Sequence, residues 1–177
     1  EELGINIVPI IIHGVNYMMP KGSFACYGGS VNMHIGKRID SRDSLWGKDY
    51  ANTTKLIHKY YIKEYAKLKK EYETTSFFNS LLLDRYKYKG VEVMSTIRTN
   101  LKKFGNYSRY IDRDILEDTV FIKHSGYGEM ALLFALVHPE KKIITFEEDY
   151  EKSELAKYAA KDLVNNILFL SENEYMI

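Results

Sequence analysis

Residues 119–129 read Thr-Val-Phe-Ile-Lys-His-Ser-Gly-Tyr-Gly-Glu, an apolar run that crosses two glycines and enters an apolar helical segment. The β-branched and aromatic residues predict a strand over 119–123. Serine and the two glycines predict a tight loop over 125–128. A helix is then expected over 129–138, because this segment is mostly apolar and Pro139 ends it. This succession is the start of an α/β unit.

The same alternation continues along the chain. A second strand is predicted over 142–146, a second helix over 151–163 and a third strand over 167–170. Strands that alternate with helices through short loops form parallel sheets with right-handed connections. The last third of the sequence therefore predicts a three-stranded parallel half-Rossmann unit.

The composition is that of an ordinary globular protein and excludes several classes. Of the 177 residues, 45% are hydrophobic and 28% are charged, which suffices for a buried core. The net charge of +1 gives no overall attraction to nucleic acid. The single cysteine, Cys26, excludes an internal disulfide and a cysteine-based zinc cluster, so no metal is predicted and a reducing compartment is favoured. The longest apolar run, over residues 5–12, is far shorter than the roughly 20 residues that span a bilayer.

Two short strands are predicted in the first forty residues. Valine and isoleucine over 5–13 predict a buried strand, in which Pro9 indicates an edge position or a bulge. A second strand is expected over 31–35, where apolar and polar residues alternate. Mixed polar residues over 37–51 predict a linker. The chain opens almost directly on the first strand, so we expect it to be a piece of a larger protein.

A long helix is predicted over 52–73, with Thr53 or Thr54 as its cap. Its apolar residues recur every three or four positions, as on one face of a helix. They are Ile57, Tyr61, Tyr65, Leu68 and Tyr72. Further helices are expected over 76–87 and 91–103.

Lysines follow the same helix at intervals of four residues, at Lys55, Lys59, Lys63 and Lys67. Two interpretations of this stripe stay open. The lysines could bind the phosphates of an anionic lipid surface while the tyrosines lie at headgroup level. Alternatively, the tyrosines pack inward and the lysines are simply solvated, which is the more frequent role of a charged stripe.

Residues 5–39 contain three spaced blocks. The first is Val8, Pro9 and Ile10; a Met-Pro-Lys-Gly-Ser-Phe loop and a strand ending in Ile-Gly-Lys-Arg-Ile follow. In this order the blocks resemble the closing segment of the 1-acyl-glycerol-3-phosphate acyltransferase family. The resemblance implies that Val8, Pro9 and Ile10 help to shape the site for the acyl donor and glycerol phosphate.

The catalytic residues of that family are missing. Its chemistry depends on a His-x-x-x-x-Asp pair, in which the carboxylate orients an imidazole that deprotonates the acceptor hydroxyl. None of the 5 histidines has an aspartate five positions later. The Glu-Gly block that binds glycerol phosphate is absent as well. No catalytic residue is therefore assigned, and the isolated chain is expected to be inactive in acyl transfer.

The segment over 120–129 resembles the first motif of class I S-adenosylmethionine-dependent methyltransferases, and the resemblance extends over about 77–170. It implies that Gly126 and Gly128 let the backbone approach the cofactor at the start of a helix. It also implies that Glu147, at the end of the next strand, accepts the ribose hydroxyls. S-adenosylmethionine is the cofactor that this resemblance implies.

Two residues depart from the methyltransferase pattern. Ile122 stands where the family has an acidic residue, and His124 replaces its first glycine. The lost carboxylate removes a polar contact, and an imidazole would crowd the methionine end of the cofactor. Fewer strands follow than in the family's sheet. We therefore expect a degenerate and non-catalytic cofactor fold.

Together these features predict an α/β protein in three parts. They are a strand-rich acyltransferase remnant over 1–40, a linker with the lysine-rich helix over 41–76 and a truncated methyltransferase-like domain over 77–177. This order resembles multidomain bacterial proteins that also carry a transporter.

The expected function is that of the carboxy-terminal part of a phospholipid-modifying transferase of the lysophospholipid acyltransferase type. The resemblance implies a cytoplasmic location at the inner face of the membrane, with the rest of the full-length protein as partner. Two alternatives stay open. One is an active S-adenosylmethionine-dependent methyltransferase domain, and the other is a structural module that forms homo-oligomers.

Overall fold

The computed structural model describes residues 6–24, 26–40, 43–46, 49–103 and 117–170. In chain order its elements are β1 (Ile10–His13), α1 (Val15–Met18), β2 (Asn32–Ile35), a 3-10 turn (Ser44–Trp46), α2 (Tyr50–Tyr72), α3 (Thr75–Tyr86), α4 (Val91–Lys103), β3 (Thr119–Lys123), α5 (Glu129–Val137), β4 (Lys142–Phe146), α6 (Tyr150–Ala160) and β5 (Ile167–Leu170). The chain is a mixed α/β protein, as predicted.

Strands β3, β4 and β5 form a parallel sheet in that order. Val120 pairs with Ile143, which in turn pairs with Ile167. The parallel sheet predicted from the alternation of strands and helices is confirmed, while its classification as half of a Rossmann fold stays a prediction. The strands end at a common carboxyl edge, which is where ligands bind in open α/β folds.

Helix α5 lies at the centre of the main core. Its sequence, Glu-Met-Ala-Leu-Leu-Phe-Ala-Leu-Val, is apolar on all sides, so neighbours must cover it all round. It packs on α3 and on β4. Burial of one large aliphatic side chain stabilises a fold by about 1.5–3 kcal/mol. The core residues are Phe78, Leu81, Leu82, Tyr86, Val93, Ile97, Leu101, Leu132, Leu133, Leu136, Ala159 and Ala160.

The N-cap of α2 is an aspartate upstream of the threonines. Asp49 accepts a hydrogen bond of 3.0 Å from the backbone N–H of Asn52, which fixes where the helix begins. The prediction that Thr53 or Thr54 caps this helix is wrong. The hydroxyls of these threonines instead donate to the carbonyls of Asp49 and Tyr50, four residues earlier in each case.

β1 and β2 pair antiparallel and form a second, two-stranded sheet. The strand expected over 5–13 is shorter than predicted, because β1 covers only its last four residues. Ile7 makes an isolated bridge with Ile39. Between that bridge and β1 lies Pro9, which has no N–H to donate to a regular ladder. Pro9 therefore marks an interruption near the start of β1.

The two faces of the β1–β2 sheet have opposite environments. Ile11 and His13 are buried, and β1 packs on α2 through this side. The opposite side is aliphatic and exposed. We call it the outer face, and it consists of Val8, Ile10, Ile12, Val31, Met33 and Ile35.

Several other features of the fold differ from the predictions. The one-turn helix α1 begins after Gly14, which has a φ of 98°, and the sequence pattern did not indicate it. The linker expected over 37–51 contains the 3-10 turn and the first residues of α2. Helix α6 stops at Ala160, before the predicted end, and Asp162 then takes a left-handed φ of 59°.

Within the described ranges, no helix is both long enough and apolar enough to cross a membrane.

Candidate cofactor loop

The loop between β3 and α5 is built from backbone conformations that favour glycine. Gly126 has a φ of 59° and Gly128 a φ of 80°. The N–H of Ser125 donates to the carbonyl of Phe146 at 3.2 Å, and the N–H of Gly128 donates to the carbonyl of Ser125 at 2.9 Å. These bonds make the loop a tight turn at the carboxyl edge of the parallel sheet.

Gly128 is required by packing as well as by its backbone angle. A Cβ atom at this position would lie 2.6 Å from the Cβ of Ala156 in α6. This separation is far shorter than carbon–carbon contact, so α5 and α6 can meet here only because residue 128 has no side chain. Helix packing therefore accounts for Gly128 without a ligand.

Glu147 follows β4 directly and contacts the loop. Its Oε2 accepts a hydrogen bond of 2.6 Å from the N–H of Gly126, and its Oε1 accepts one of 3.3 Å from the N–H of Asp149. The structure thus brings together two of the residues that the methyltransferase resemblance singled out. Both carboxylate oxygens, however, are engaged by the backbone of the protein itself.

The two departures from the methyltransferase motif have ordinary environments. Ile122 is partly buried and packs against the apolar cluster between α5 and the sheet. His124 has a φ of 49°, and its side chain is exposed, with Nδ1 lying 3.8 Å from Oε1 of Glu148. Ile122 is thus a packing residue and His124 a turn residue at the surface.

Glu129 is a candidate residue that the sequence interpretation missed. It is only 3% exposed, and its Oε1 accepts a hydrogen bond of 2.6 Å from Nδ2 of Asn100. Its Oε2 has no hydrogen-bond partner among the described residues. Burial raises the pKa of Glu129, and the nearby Glu147 carboxylate raises it further. A glutamate directly after the glycine loop, at the head of an apolar helix, was the signal that could have identified it.

Helix α3 also contacts the glycine loop through a hydrogen bond. The hydroxyl of Tyr86 donates a short hydrogen bond of 2.5 Å to the carbonyl of Tyr127. Tyr86 is fully buried, and this burial raises the pKa of its hydroxyl, which therefore stays protonated as a donor. Helix α3 thus helps to hold the glycine loop in place.

The predicted acyltransferase block belongs to the other sheet. Pro9 is fully buried, whereas Val8 and Ile10 are each about half exposed, at 51% and 50%. The N–H of Gly36 donates to the carbonyl of Pro9 at 2.8 Å, so the block and the Ile-Gly strand end are in contact. The role of Val8, Pro9 and Ile10 in an acyl-donor site stays a prediction.

The lysine stripe of α2 is exposed along its length, at Lys55, Lys59, Lys63 and Lys67. Two of the tyrosines of this helix point away from the lysines. The rings of Tyr65 and Tyr72 lie with their centroids 6.1 Å and 5.6 Å from that of the buried His13. Lys67 forms an ion pair of 2.5 Å with Glu64. Because Tyr65 and Tyr72 face the β1–β2 sheet, an anionic surface at the lysines would not contact these two rings.

No group of three or more histidine, cysteine, aspartate or glutamate side chains in the described part of the chain could hold a metal ion. Comparison with known proteins gives no assignment, since no protein-family model, curated protein or solved structure matches the chain. Functional interpretation therefore depends on the geometry of the chain itself.

Proposed function

We propose that this chain is part of a phospholipid-modifying transferase of the lysophospholipid acyltransferase type, at the cytoplasmic face of a membrane. The blocks over 5–39 support the acyltransferase context. In this proposal the rest of the protein supplies the catalytic His-Asp pair. The methyltransferase-like domain over 77–177 contributes structure only, as a cofactor fold that no longer binds S-adenosylmethionine.

The contact between Glu147 and Gly126 carries the second part of the proposal, that the cofactor fold no longer binds S-adenosylmethionine. In a working site of this kind the carboxylate accepts hydrogen bonds from the ribose hydroxyls. Here the carboxylate accepts from the N–H groups of Gly126 and Asp149, so a cofactor would have to displace or share these bonds. A hydrogen bond to a charged group is worth about 1.5–3 kcal/mol, and each 1.4 kcal/mol is about tenfold in affinity. The hydrogen bonds that the protein backbone donates to this carboxylate thus oppose cofactor binding.

Calorimetric titration with S-adenosylhomocysteine tests directly whether the cofactor fold has lost binding. We expect no binding in the micromolar range for the natural sequence. Glu147→Ala should behave in the same way, and Glu148→Ala is the matched control because its carboxylate lies next in the chain and is 70% exposed. Micromolar binding that Glu147→Ala abolishes and Glu148→Ala retains would contradict the proposal.

One observation favours the active methyltransferase as a second candidate. Oε2 of Glu129 has no hydrogen-bond partner among the described residues. It lies 3.9 Å from the position that a Cβ atom would take if residue 126 had a side chain, so the carboxylate is next to the glycine loop. A carboxylate there could take over the polar contact that is lost at Ile122. If this candidate is right, Glu129→Gln weakens S-adenosylhomocysteine binding about tenfold or more, as expected for a lost charged contact.

The exposed outer face favours the structural module as a third candidate. Its central residues, Ile12 and Met33, are directly paired and are 46% and 63% exposed. Aliphatic surfaces of this kind are covered in stable assemblies. Light scattering tests whether the chain forms dimers that Ile12→Lys dissociates. Phe121→Lys is the control, since Phe121 is 67% exposed on a strand of the other sheet. A monomer at all concentrations contradicts this candidate.

A further inference from the structure

A cleft of about 630 Å³ opens where residues 22–24 and 26–28 meet the ends of α3 and α6. This volume lies in the range of small-molecule sites. Its wall combines charged and aromatic side chains, among them Asp84, Arg85, Tyr27, Tyr88, Tyr158 and Lys161. The cleft thus has the size and the mixed lining of a ligand site.

This cleft is separate from the glycine loop. Helix α6 begins after the carboxyl end of β4 and ends before the amino end of β5. Its last turn therefore lies at the amino edge of the parallel sheet, while the glycine loop lies at the carboxyl edge. A ligand in the cleft would be independent of the cofactor fold and of the function proposed above.

Arg85 is the central charged residue of the cleft. It is only 5% exposed, and its Nη1 and Nη2 donate to the carbonyls of Lys161 and Tyr17 at 3.1 Å and 3.3 Å. Its guanidinium lies over the ring of Tyr27, 3.3 Å from the centroid. Its Nε has no hydrogen-bond partner among the described residues. The Asp162 carboxylate on the same cleft partly balances this buried positive charge, and an anion that accepts from the Nε N–H would balance it further.

The part of the cleft beside Arg85 is held in a defined position by Asp162. The hydroxyls of Ser23 and Tyr27 both donate to Oδ2 of Asp162, at 2.9 Å and 3.2 Å. Asp162 takes a left-handed φ of 59° to reach them, a conformation that costs a non-glycine residue energy. These bonds hold Ser23 and Tyr27 against the end of α6 and engage one oxygen of the Asp162 carboxylate.

Aromatic side chains surround the mouth of the cleft and are open to solvent. Tyr88 is 89% exposed and Tyr158 is 51% exposed, and Nζ of Lys89 lies 3.4 Å from the ring centroid of Tyr158. Exposed rings beside cations can stack on a planar aromatic group of a ligand. The side chain of Lys161 is exposed at the same mouth.

We propose that this cleft binds a small aromatic anion, with a nucleoside monophosphate as the ligand class. Arg85 and Lys161 bind the phosphate, the ring of Tyr88 stacks on the base, and Asp84 accepts hydrogen bonds from the ribose hydroxyls. Guanidinium groups suit phosphate because several N–H donors lie in one plane. Among the described residues, Arg85 is a buried arginine whose cleft also carries open aromatic rings.

Calorimetric titration with adenosine monophosphate, adenosine and inorganic phosphate tests this proposal. We expect the monophosphate to bind at least about tenfold more tightly than either half of the molecule, because both the phosphate and the ring contribute. No heat with the monophosphate at millimolar concentration overturns the proposal. Inorganic phosphate binding as tightly as the monophosphate also overturns it, because the aromatic rings would then play no part.

Arg85→Met would remove hydrogen bonds that join three segments of the chain, so a loss of binding in this variant would not separate ligand contact from folding. Variants at the mouth of the cleft avoid this problem. Lys161→Gln and Tyr88→Ala should each weaken monophosphate binding about tenfold with an unchanged urea midpoint. Lys63→Gln, on the exposed stripe of α2, is the matched control for charge and should leave binding unchanged. Equal weakening by Lys63→Gln indicates general charge attraction and contradicts the proposal. Glu147→Ala should also leave binding unchanged; loss in that variant would place the ligand at the glycine loop.

Discussion

Nε2 of His13 lies 3.1 Å from Oε1 of Glu73, although the two residues are 60 positions apart in the chain. The hydroxyl of Tyr17 donates to the same oxygen at 2.9 Å. Burial and the Glu73 carboxylate raise the pKa of Tyr17, so its hydroxyl stays protonated and remains a donor. Glu73 is the C-cap of α2, and His13 ends β1. This contact therefore joins the β1–β2 sheet to the end of the long helix.

Glu73→Ala should lower the free energy of unfolding by about 1–3 kcal/mol, because it leaves buried His13 and half-buried Tyr17 without their acceptor. Urea unfolding followed by circular dichroism measures this change. Glu71→Ala is the control, since Glu71 is exposed on the same helix. Equal midpoints for the two variants would show that the contact does not stabilise the fold.

Gly128→Ala should be more destabilising than Gly90→Ala. Both glycines have a positive φ, of 80° and 105°, so alanine is strained at either position. Only at Gly128 does the added Cβ meet another atom closely, the Cβ of Ala156 at 2.6 Å, whereas nothing lies within 4 Å at Gly90. Overpacking of this kind typically costs about 1–3 kcal/mol beyond the backbone strain. The difference between the two urea midpoints measures that packing contribution, and no difference contradicts it.

Glu129→Gln should flatten the dependence of stability on pH. Burial raises the folded-state pKa of Glu129 above its unfolded value, so the folded chain binds the proton more tightly. This contribution to stability is fully present below the unfolded pKa and is lost as pH rises through the folded pKa. Thermal unfolding from acidic to neutral pH should therefore show a steeper loss for the natural sequence than for the variant. Glu151→Gln, at an exposed glutamate of α6, should keep the natural profile.

The isolated chain should transfer no acyl group from acyl-CoA or acyl carrier protein to lysophosphatidic acid. It lacks a His-x-x-x-x-Asp pair, and His13, which is next to the acyltransferase block, is fully buried beside Glu73. A radiolabelled acyl-transfer assay, with an active acyltransferase run in parallel, measures this. Turnover that disappears in His13→Ala but not in His58→Ala would show that His13 acts as the base.

The lysine stripe should give weak adsorption to anionic vesicles that salt abolishes. Each lysine near such a surface contributes about 1 kcal/mol, and the effect falls off within a Debye length. Tyr65 and Tyr72 face the β1–β2 sheet, so these two rings should not insert into the bilayer. Sedimentation with phosphatidylserine vesicles should detect binding that is lost when Lys55, Lys59, Lys63 and Lys67 are replaced by glutamine. Binding that survives high salt contradicts this electrostatic mechanism.

Local patterns were sufficient to predict much of the fold. The helix over 91–103 and the strands over 119–123, 142–146 and 167–170 have the predicted bounds, and the three strands are parallel. Periodicity and turn residues act over a few positions, so they can be read directly. The cap of α2 was predicted wrongly because local patterns do not choose among several short polar residues near the start of a helix. The path of the chain selected Asp49.

The candidate site was predictable only in part. Glycines in a strand-to-helix turn and an acid after the next strand are local signals, and Gly126, Gly128 and Glu147 lie where those signals put them. The bond between Glu147 and the N–H of Gly126 could not be predicted, because it depends on how two parallel strands set their loops against each other. Glu129 was missed for the same reason, since its burial depends on α4 covering it through Asn100.

The sequence by itself determined that a three-stranded parallel sheet forms, that a mostly apolar helix follows β3 and that two glycines lie in the loop between them. These features follow from the order of short apolar segments and from residues with special backbone freedom. Only the tertiary structure decided that Glu147 binds its own loop, that His13 meets Glu73 and that Arg85 is buried in a cleft. Each of these contacts joins residues far apart in the chain, and their meeting depends on packing distances that no local periodicity encodes.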